Sequence, residues 1–134
     1  MAFRIFIRRH KMVYTVEEPD FPVEEGKHVG ELTDIIESES DYGRCTRFIY
    51  RITDSGVGNG AIVSGVCNAR VLAPGTRFYE WLSVLNGSNL DIGERVDPER
   101  FIGRKVEFFV KNIEKDGRKF SNVEKLLRLA DPMF

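Results

Sequence analysis

Arg47 and Arg51 stand four residues apart in a segment, Arg44 to Thr53, whose side chains alternate. Phe48, Tyr50 and Ile52 point one way; Arg47, Ile49 and Arg51 point the other. A period of two marks a strand with one buried face, so both guanidinium groups share its open face if the aromatics are core. Bases that meet phosphates, next to aromatic faces that stack nucleobases at about 1–3 kcal/mol each, are the equipment of a single-strand binder. Arg70 extends the line near the end of the following segment, and Phe109, flanked by Lys105 and Lys111, is an aromatic on the polar face of a later one. Two loops add Tyr42 and Arg44 on one side, and Lys115, Arg118 and Lys119 on the other. The candidate set is therefore Tyr42, Arg44, Arg47, Arg51, Arg70, Phe109, Lys111, Arg118 and Lys119. Arg44, Arg47, Arg51 and Arg70 would take phosphates, Arg118 and Lys119 would close from a hairpin, and Tyr42 and Phe109 would stack. Each arginine alone reads more simply as a surface residue paired with an acid; the grouping is what points to a ligand. The opposite strand parity would instead turn Phe48 and Tyr50 outward as the stacking pair.

Other chemistry finds less material. Gly56-Val57-Gly58-Asn59-Gly60-Ala61 matches G-x-G-x-x-A, but that phosphate cradle needs a helix to follow, and Ile62-Val63-Ser64-Gly65-Val66 reads as a strand. The acids Glu17, Glu18, Asp20, Glu24 and Glu25 fall in a proline-punctuated stretch and read as a solvated segment, not an acid–base pair in a dry pocket. Ser64 and Cys67 have no histidine beside them in sequence. Cys45, Cys67, His10 and His28 lack the close spacing of a zinc site. No catalytic residue, metal or cofactor is expected.

The elements that must carry the basic residues follow from the pattern. Residues 12–27, with Pro19 and Pro22, form an extended lead-in. Strand-like runs cover Val29–Glu37, Arg44–Thr53 and Ala61–Leu72. Thr76 to Gly87 is the single clear helix signal, with Thr76 as N-cap, Gly87 as its left-handed end, and Phe78, Trp81, Leu82 and Leu85 on one stripe; Arg77, Glu80 and Ser83 lie off it. Asp97-Pro98 opens one more helical turn ending near Gly103. Arg104–Ile113 and Arg118–Leu129 are strands joined at Asp116-Gly117, a two-residue hairpin turn whose positions both favour positive φ. The order β-β-β-α-β-β is that of a five-stranded OB-fold barrel, whose outer face commonly holds oligonucleotides or oligosaccharides. The expectation is a mainly β protein: an N-terminal arm and lead-in over 1–27, the OB-fold domain over 28–130, and a short tail over 131–134.

The 134 residues suffice for one domain, and 42% apolar with 31% charged residues is globular composition. The net charge of −1 excludes a global field for a polyanion, so any such binding must use a local patch. Charge is segregated: residues 2–11 carry Arg4, Arg8, Arg9 and Lys11 without an acid, and residues 17–41 carry ten acids against Lys27. With two cysteines read as core or near-core residues, no signal-type leader and no membrane-length apolar run, a soluble cytoplasmic protein is expected. In the basic arm, Phe3, Ile5 and Ile7 alternate with Arg4, Phe6 and Arg8. Such an arm can add as a strand to a sheet edge and make a homo-oligomer, or collect phosphate contacts.

From Val23 to Leu129 the pattern resembles small OB-fold proteins of phage and mobile-element replication and recombination modules. The residues that carry this are Val23-x-x-Gly26, Phe48-x-x-x-Ile52, Ile102-Gly103-Arg104-Lys105-Val106-x-Phe108-x-Val110 and Asp116-Gly117-Arg118-x-x-Ser121-Asn122-Val123. The resemblance implies single-stranded DNA binding without catalysis; the overall expectation is a binder of single-stranded nucleic acid, DNA before RNA, with little sequence preference. A protein-interaction or oligomerising OB module, structural or adaptor in role, is the rival expectation, and a polysaccharide ligand the third.

Overall fold

The computed structural model describes residues 13–17, 21–40, 43–54 and 58–130. Its regular elements are β1 (Gly26–Ser40), β2 (Gly43–Ile52), β3 (Ile62–Asn68), α1 (Arg77–Asn86), a 3-10 turn (Pro98–Phe101), β4 (Lys105–Lys115) and β5 (Arg118–Leu129). The five strands form one sheet in the order β1-β2-β3-β5-β4, and β4 pairs back onto β1 to close the ring. All neighbours are antiparallel except β3 and β5, which meet in parallel at Ser64 and Asn122.

Alternation decides which side chains fill the ring. Phe48, Tyr50 and Ile52 from β2, Val63 and Cys67 from β3, Val106, Phe108 and Val110 from β4, and Val123 from β5 are all buried, as is Leu32 from β1. Trp81 of α1 enters among them edge-on, its ring 5.4 Å from Phe48 and 6.5 Å from Tyr50 between centroids. Gly65 makes this approach possible: a Cβ there would sit 2.8 Å from the Val123 carbonyl oxygen and collide with the Trp81 ring. Backbone and aromatic ring can come this close only over a residue with no side chain.

The punctuation follows local chemistry. Thr76 caps α1, its hydroxyl accepting from the Tyr79 N–H at 3.1 Å, and Gly87 ends the helix in the left-handed region with φ 82°. Asp97 caps the 3-10 turn with Pro98 in its first positions. Asp116 (φ 53°) and Gly117 (φ 73°) form the two-residue turn between β4 and β5, which pair from Lys115 and Arg118 onward. Trp81, Leu82 and Leu85 are buried as the stripe requires, while Phe78 packs half-buried against the core. Ser83 departs from the expectation: it too is buried, on the side of the helix that faces the end of β5.

The ends of β1 and β3 and the state of the lead-in differ from the sequence reading; β1 runs on to Ser40, three residues past the expected Glu37. β1 starts three residues early, at Gly26, because Gly26–Glu31 pair with β4 before Gly30–Ser40 pair with β2. β3 stops at Asn68 instead of Leu72, where the Asn68 side chain accepts from the Arg70 N–H and turns the chain away. The lead-in is anchored as well as extended: Val23 is buried, its carbonyl accepting from Asn112 Nδ2 at 3.0 Å. The His28 ring ties the same region down, with Nε2 2.6 Å from the Glu24 carbonyl and Nδ1 3.1 Å from the Asp54 carboxylate.

Candidate nucleic-acid interface

The parity of β2 places Arg47 and Arg51 outside the ring, both exposed. Their neighbours on that face are set by register: Ile36 and Val66 stand opposite Arg47, Asp34 and Ser64 opposite Ile49, and Glu31 and Ile62 opposite Arg51. Arg47 donates to the Ser64 hydroxyl at 3.1 Å. Arg51 is engaged more strongly, its Nη2 3.0 Å from Glu31 Oε2, with both side chains partly open to water. The face also shows apolar side chains to solvent, Ile36 at 46%, Ile62 at 58% and Val66 at 40% exposure.

Arg44 and Arg70 gather at one rim of the ring, Arg44 having the parity of buried Thr46 and Phe48 and not that of Arg47 and Arg51. The Ala69 N–H donates to the Arg44 carbonyl, and the Arg70 guanidinium packs over Gly43, where a side chain would displace it. Arg44 is directly opposite Glu39 on β1. Arg118 and Lys119 are exposed at the start of β5. Since β5 runs parallel to β3 through Ser64 and Asn122, these two lie toward the Ile62 and Arg51 end. Six of the nine candidates are thus distributed along β2 and its two rims. Tyr42 lies outside the described residues.

Phe109 and Lys111 do not join that row. They face outward from β4, which β1 separates from β2 one way round the ring and β3 with β5 the other. Phe109 stands opposite Lys27 of β1 and Lys125 of β5, with Lys111 two residues along its own strand, so a half-buried ring has lysines on three sides. Lys27 shares Glu107 with Arg128, at 3.8 Å and 3.3 Å. Sequence reasoning missed Lys27 and Lys125, whose relation to Phe109 exists only through cross-strand register. It also missed Phe120, which alternates with buried Ser121 and Val123 and therefore lies half-buried on the outer face of β5, two residues before Asn122. The same alternation that assigned β2 could have found it.

The inward polar groups offer no surface chemistry. Burial pushes the Cys67 thiol up to about 12, an effect that the nearby Arg77 guanidinium partly offsets. Burial likewise raises the Tyr50 phenol well above its ordinary value, with Cys67 adding to the shift and Arg77 opposing it. Arg77 itself lies over the Trp81 ring at 4.5 Å and donates to the Val123 carbonyl. Of the glycine-rich connection residues 58–60 are described, and they run through a turn, Ala61 N–H to Gly58 carbonyl, directly into β3. Among the described residues no helix N-terminus meets it, and a strand follows where a dinucleotide cradle needs a helix. A groove of about 640 Å³ between α1 and the end of β5 lies apart from the arginine row. Among the described residues no helix is long and apolar enough to cross a membrane, and no group of three or more His, Cys, Asp or Glu could hold a metal.

Comparison with protein-family models finds no match, and comparison with curated proteins finds none either.

Proposed function

We propose that this chain is an OB-fold protein that binds single-stranded nucleic acid, DNA in the first instance, along the outer face of β2 and β3. The strand order β1-β2-β3-β5-β4, the parallel meeting of β3 and β5 and the helix between β3 and β4 support the fold reading. The observation that carries the function is the pair Arg47 and Arg51 on the outer face of β2, with Arg44 and Arg70 at one rim and Arg118 and Lys119 at the other. Arg47 and Arg51 are about 13 Å apart along the strand, enough to meet separate phosphates of one extended chain. Phe120 supplies a ring beside this face, on neighbouring β5, whereas Phe109 on β4 lies off it. A part in replication or recombination follows from the family resemblance alone.

The test is fluorescence anisotropy of labelled single-stranded and duplex oligonucleotides in about 50 and 200 mM salt, because phosphate-driven binding weakens steeply between those concentrations. Preference for the single strand, lost with Arg47→Glu and Arg51→Glu together, supports the reading. Absence of single-strand binding at low salt removes it.

A second reading is favoured by the apolar exposure of the same face. Ile36, Ile62 and Val66 are open to water, and Arg47 and Arg51 already have protein partners. Such a surface also suits a protein partner, with the arginines at its rim. A larger molar mass by light scattering that Val66→Asp abolishes, without single-strand binding, would favour this reading.

A further inference from the structure

Register links the outward side chains into one row that runs round the sheet from β2 to β4. Ile49 stands opposite Ser64, Ser64 opposite Asn122, and Asn122 opposite Lys111. Each of the four follows a buried residue on its own strand, Phe48, Val63, Ser121 and Val110, so all four lie on the outer surface. The Arg47 guanidinium, which donates to the Ser64 hydroxyl at 3.1 Å, joins the β2 face to this row. Three strand spacings of about 4.8 Å put Lys111 about 14 Å round from β2. In the next row toward the hairpin Phe120 stands opposite Ile113, and a half-buried aromatic ring therefore borders the crossing.

Beyond Lys111 the row meets Phe109, with Lys27 and Lys125 opposite it on the two neighbouring strands. Lys111 and Lys125 are exposed, and the Lys27 side chain is 71% open. A half-buried aromatic ring among ammonium groups is equipment for one nucleobase and its phosphates. Acids temper the cluster: Glu107 is shared by Lys27 and Arg128, Glu25 accepts from the Asn112 N–H, and Glu124 is exposed beside Lys125. Two routes lead here from β2. Across β1 a strand would meet Glu31, set between Arg51 and Lys105, and then Glu107 opposite Val29. Across β3 and β5 it meets the Ser64 hydroxyl, the Asn122 amide and the Lys111 ammonium instead, which suits a polyanion.

We propose that the Phe109 cluster is a second contact site for the same single-stranded nucleic acid. The strand leaves the β2–β3 face over Ser64 and Asn122, seats a base on Phe109 and brings phosphates to Lys27, Lys111 and Lys125. This rests on the reading of the β2–β3 face as the primary site. Its consequence is a dependence on length. A strand confined to the primary face does not feel the cluster, whereas one that spans both gains three phosphate contacts and a salt slope steeper by about 2.

Anisotropy of oligothymidylates of about 6 and about 16 nucleotides, toward the two ends of the range that single OB-folds cover, tests it in about 50 mM salt. Three full-length variants are compared with the wild type, with urea midpoints as the check on folding. Lys27→Glu with Lys125→Glu reverses two exposed charges, Phe109→Leu keeps apolar bulk without the flat ring, and Asn122→Asp puts a carboxylate in the crossing. The longer strand should bind at least about tenfold more weakly to the lysine variant, at least about fivefold more weakly to Phe109→Leu, and measurably more weakly to Asn122→Asp. The shorter strand should bind all of them as it binds the wild type. Unchanged binding of the longer strand by the lysine variant and Phe109→Leu, while Arg47→Glu with Arg51→Glu still abolishes it, overturns the second contact and leaves the primary face standing. Equal losses at both lengths overturn it as well, because the cluster is then part of the primary site. A loss in the lysine variant without one in Asn122→Asp overturns the route. Binding that needs Lys27 and Lys125 but ignores Arg47→Glu with Arg51→Glu overturns the primary reading, and the path with it.

Discussion

If β2 carries a phosphate track, Glu31 is a competitor for it, and removing that competitor should tighten binding. The Glu31 carboxylate holds Arg51 at 3.0 Å, with the arginine side chain 53% and the glutamate 28% exposed. A pair this open to solvent contributes about 0.2–1 kcal/mol, so a phosphate that takes Arg51 must first give up that amount. Glu31→Gln keeps the shape and abolishes the charge. The expected gain is about 1.4- to 5-fold in single-strand affinity at low salt. Six engaged bases, Arg44, Arg47, Arg51, Arg70, Arg118 and Lys119, give a log–log salt slope of about −4, or roughly 300-fold weaker binding from 50 to 200 mM salt. Arg51→Gln should lower that slope by about 0.7. Anisotropy titrations of the wild type, both single variants and the double variant close a cycle that isolates the coupling. In the Arg51→Gln background the gain from Glu31→Gln should disappear. Binding that is unchanged or weaker in Glu31→Gln, while the wild type still holds single strands, refutes a track through Arg51. A gain that survives without Arg51 would show the acid acting only through its general field.

Further outcomes follow from the core and the caps. Gly65→Ala forces a methyl group against Trp81 and the Val123 carbonyl, so it should cost about 1–3 kcal/mol and lower the urea midpoint with the slope unchanged; an unshifted midpoint would contradict the packing described. Thr76→Ala removes the acceptor for the Tyr79 N–H and should cost about 1 kcal/mol by the same assay. With Cys67 buried and its thiol pushed up to about 12, a disulfide-exchange reagent at pH 8 should label half-exposed Cys45 in the native protein and reach Cys67 only after unfolding. The same shift sets an alkaline limit. The thiol ionises near 9 when unfolded and near 12 when folded, so its contribution is intact below pH 9 and lost as pH rises from 9 to 12. That loss is at most about 1.4 kcal/mol per pH unit, with Tyr50 adding to it above pH 10. Cys67→Val should flatten stability between pH 9 and 10.

What could be read in advance was local. Thr76 and Gly87 around a helical stripe, Asp97-Pro98, and Asp116-Gly117 between two alternating runs each specify their own backbone, so the structure places those elements within a residue or two. The parity of β2 was equally legible, because Phe48, Tyr50 and Ile52 leave only one face for Arg47 and Arg51. The ends of β1 and β3 were not. Gly26 belongs to β1 because β4 pairs with it, and Asn68 ends β3 through a turn of its own side chain; neither leaves a periodic trace.

The candidate site was legible only strand by strand, and the reason lies in a register shift. Between Leu32 and Asp34 the pairing of β1 with β2 slips, so the inward side of β1 changes from the even-numbered Leu32 to the odd-numbered Ile35, and Ile36 comes out opposite Arg47. A bulge inserts one residue without any obligatory sequence mark, yet it decides which acid meets which arginine. Before the slip Glu31 faces Arg51 and binds it; beyond the slip Arg47 meets Ile36 and turns to Ser64 instead. Two arginines that look equivalent four residues apart therefore differ in what a ligand must displace, a carboxylate in one case and a hydroxyl in the other. On charge alone Arg47 is the readier phosphate contact, and Arg47→Gln should cost more affinity than Arg51→Gln in the same titration. The reverse order would mean that Glu31 releases Arg51 without penalty, and the face would then have to be understood from its apolar residues first.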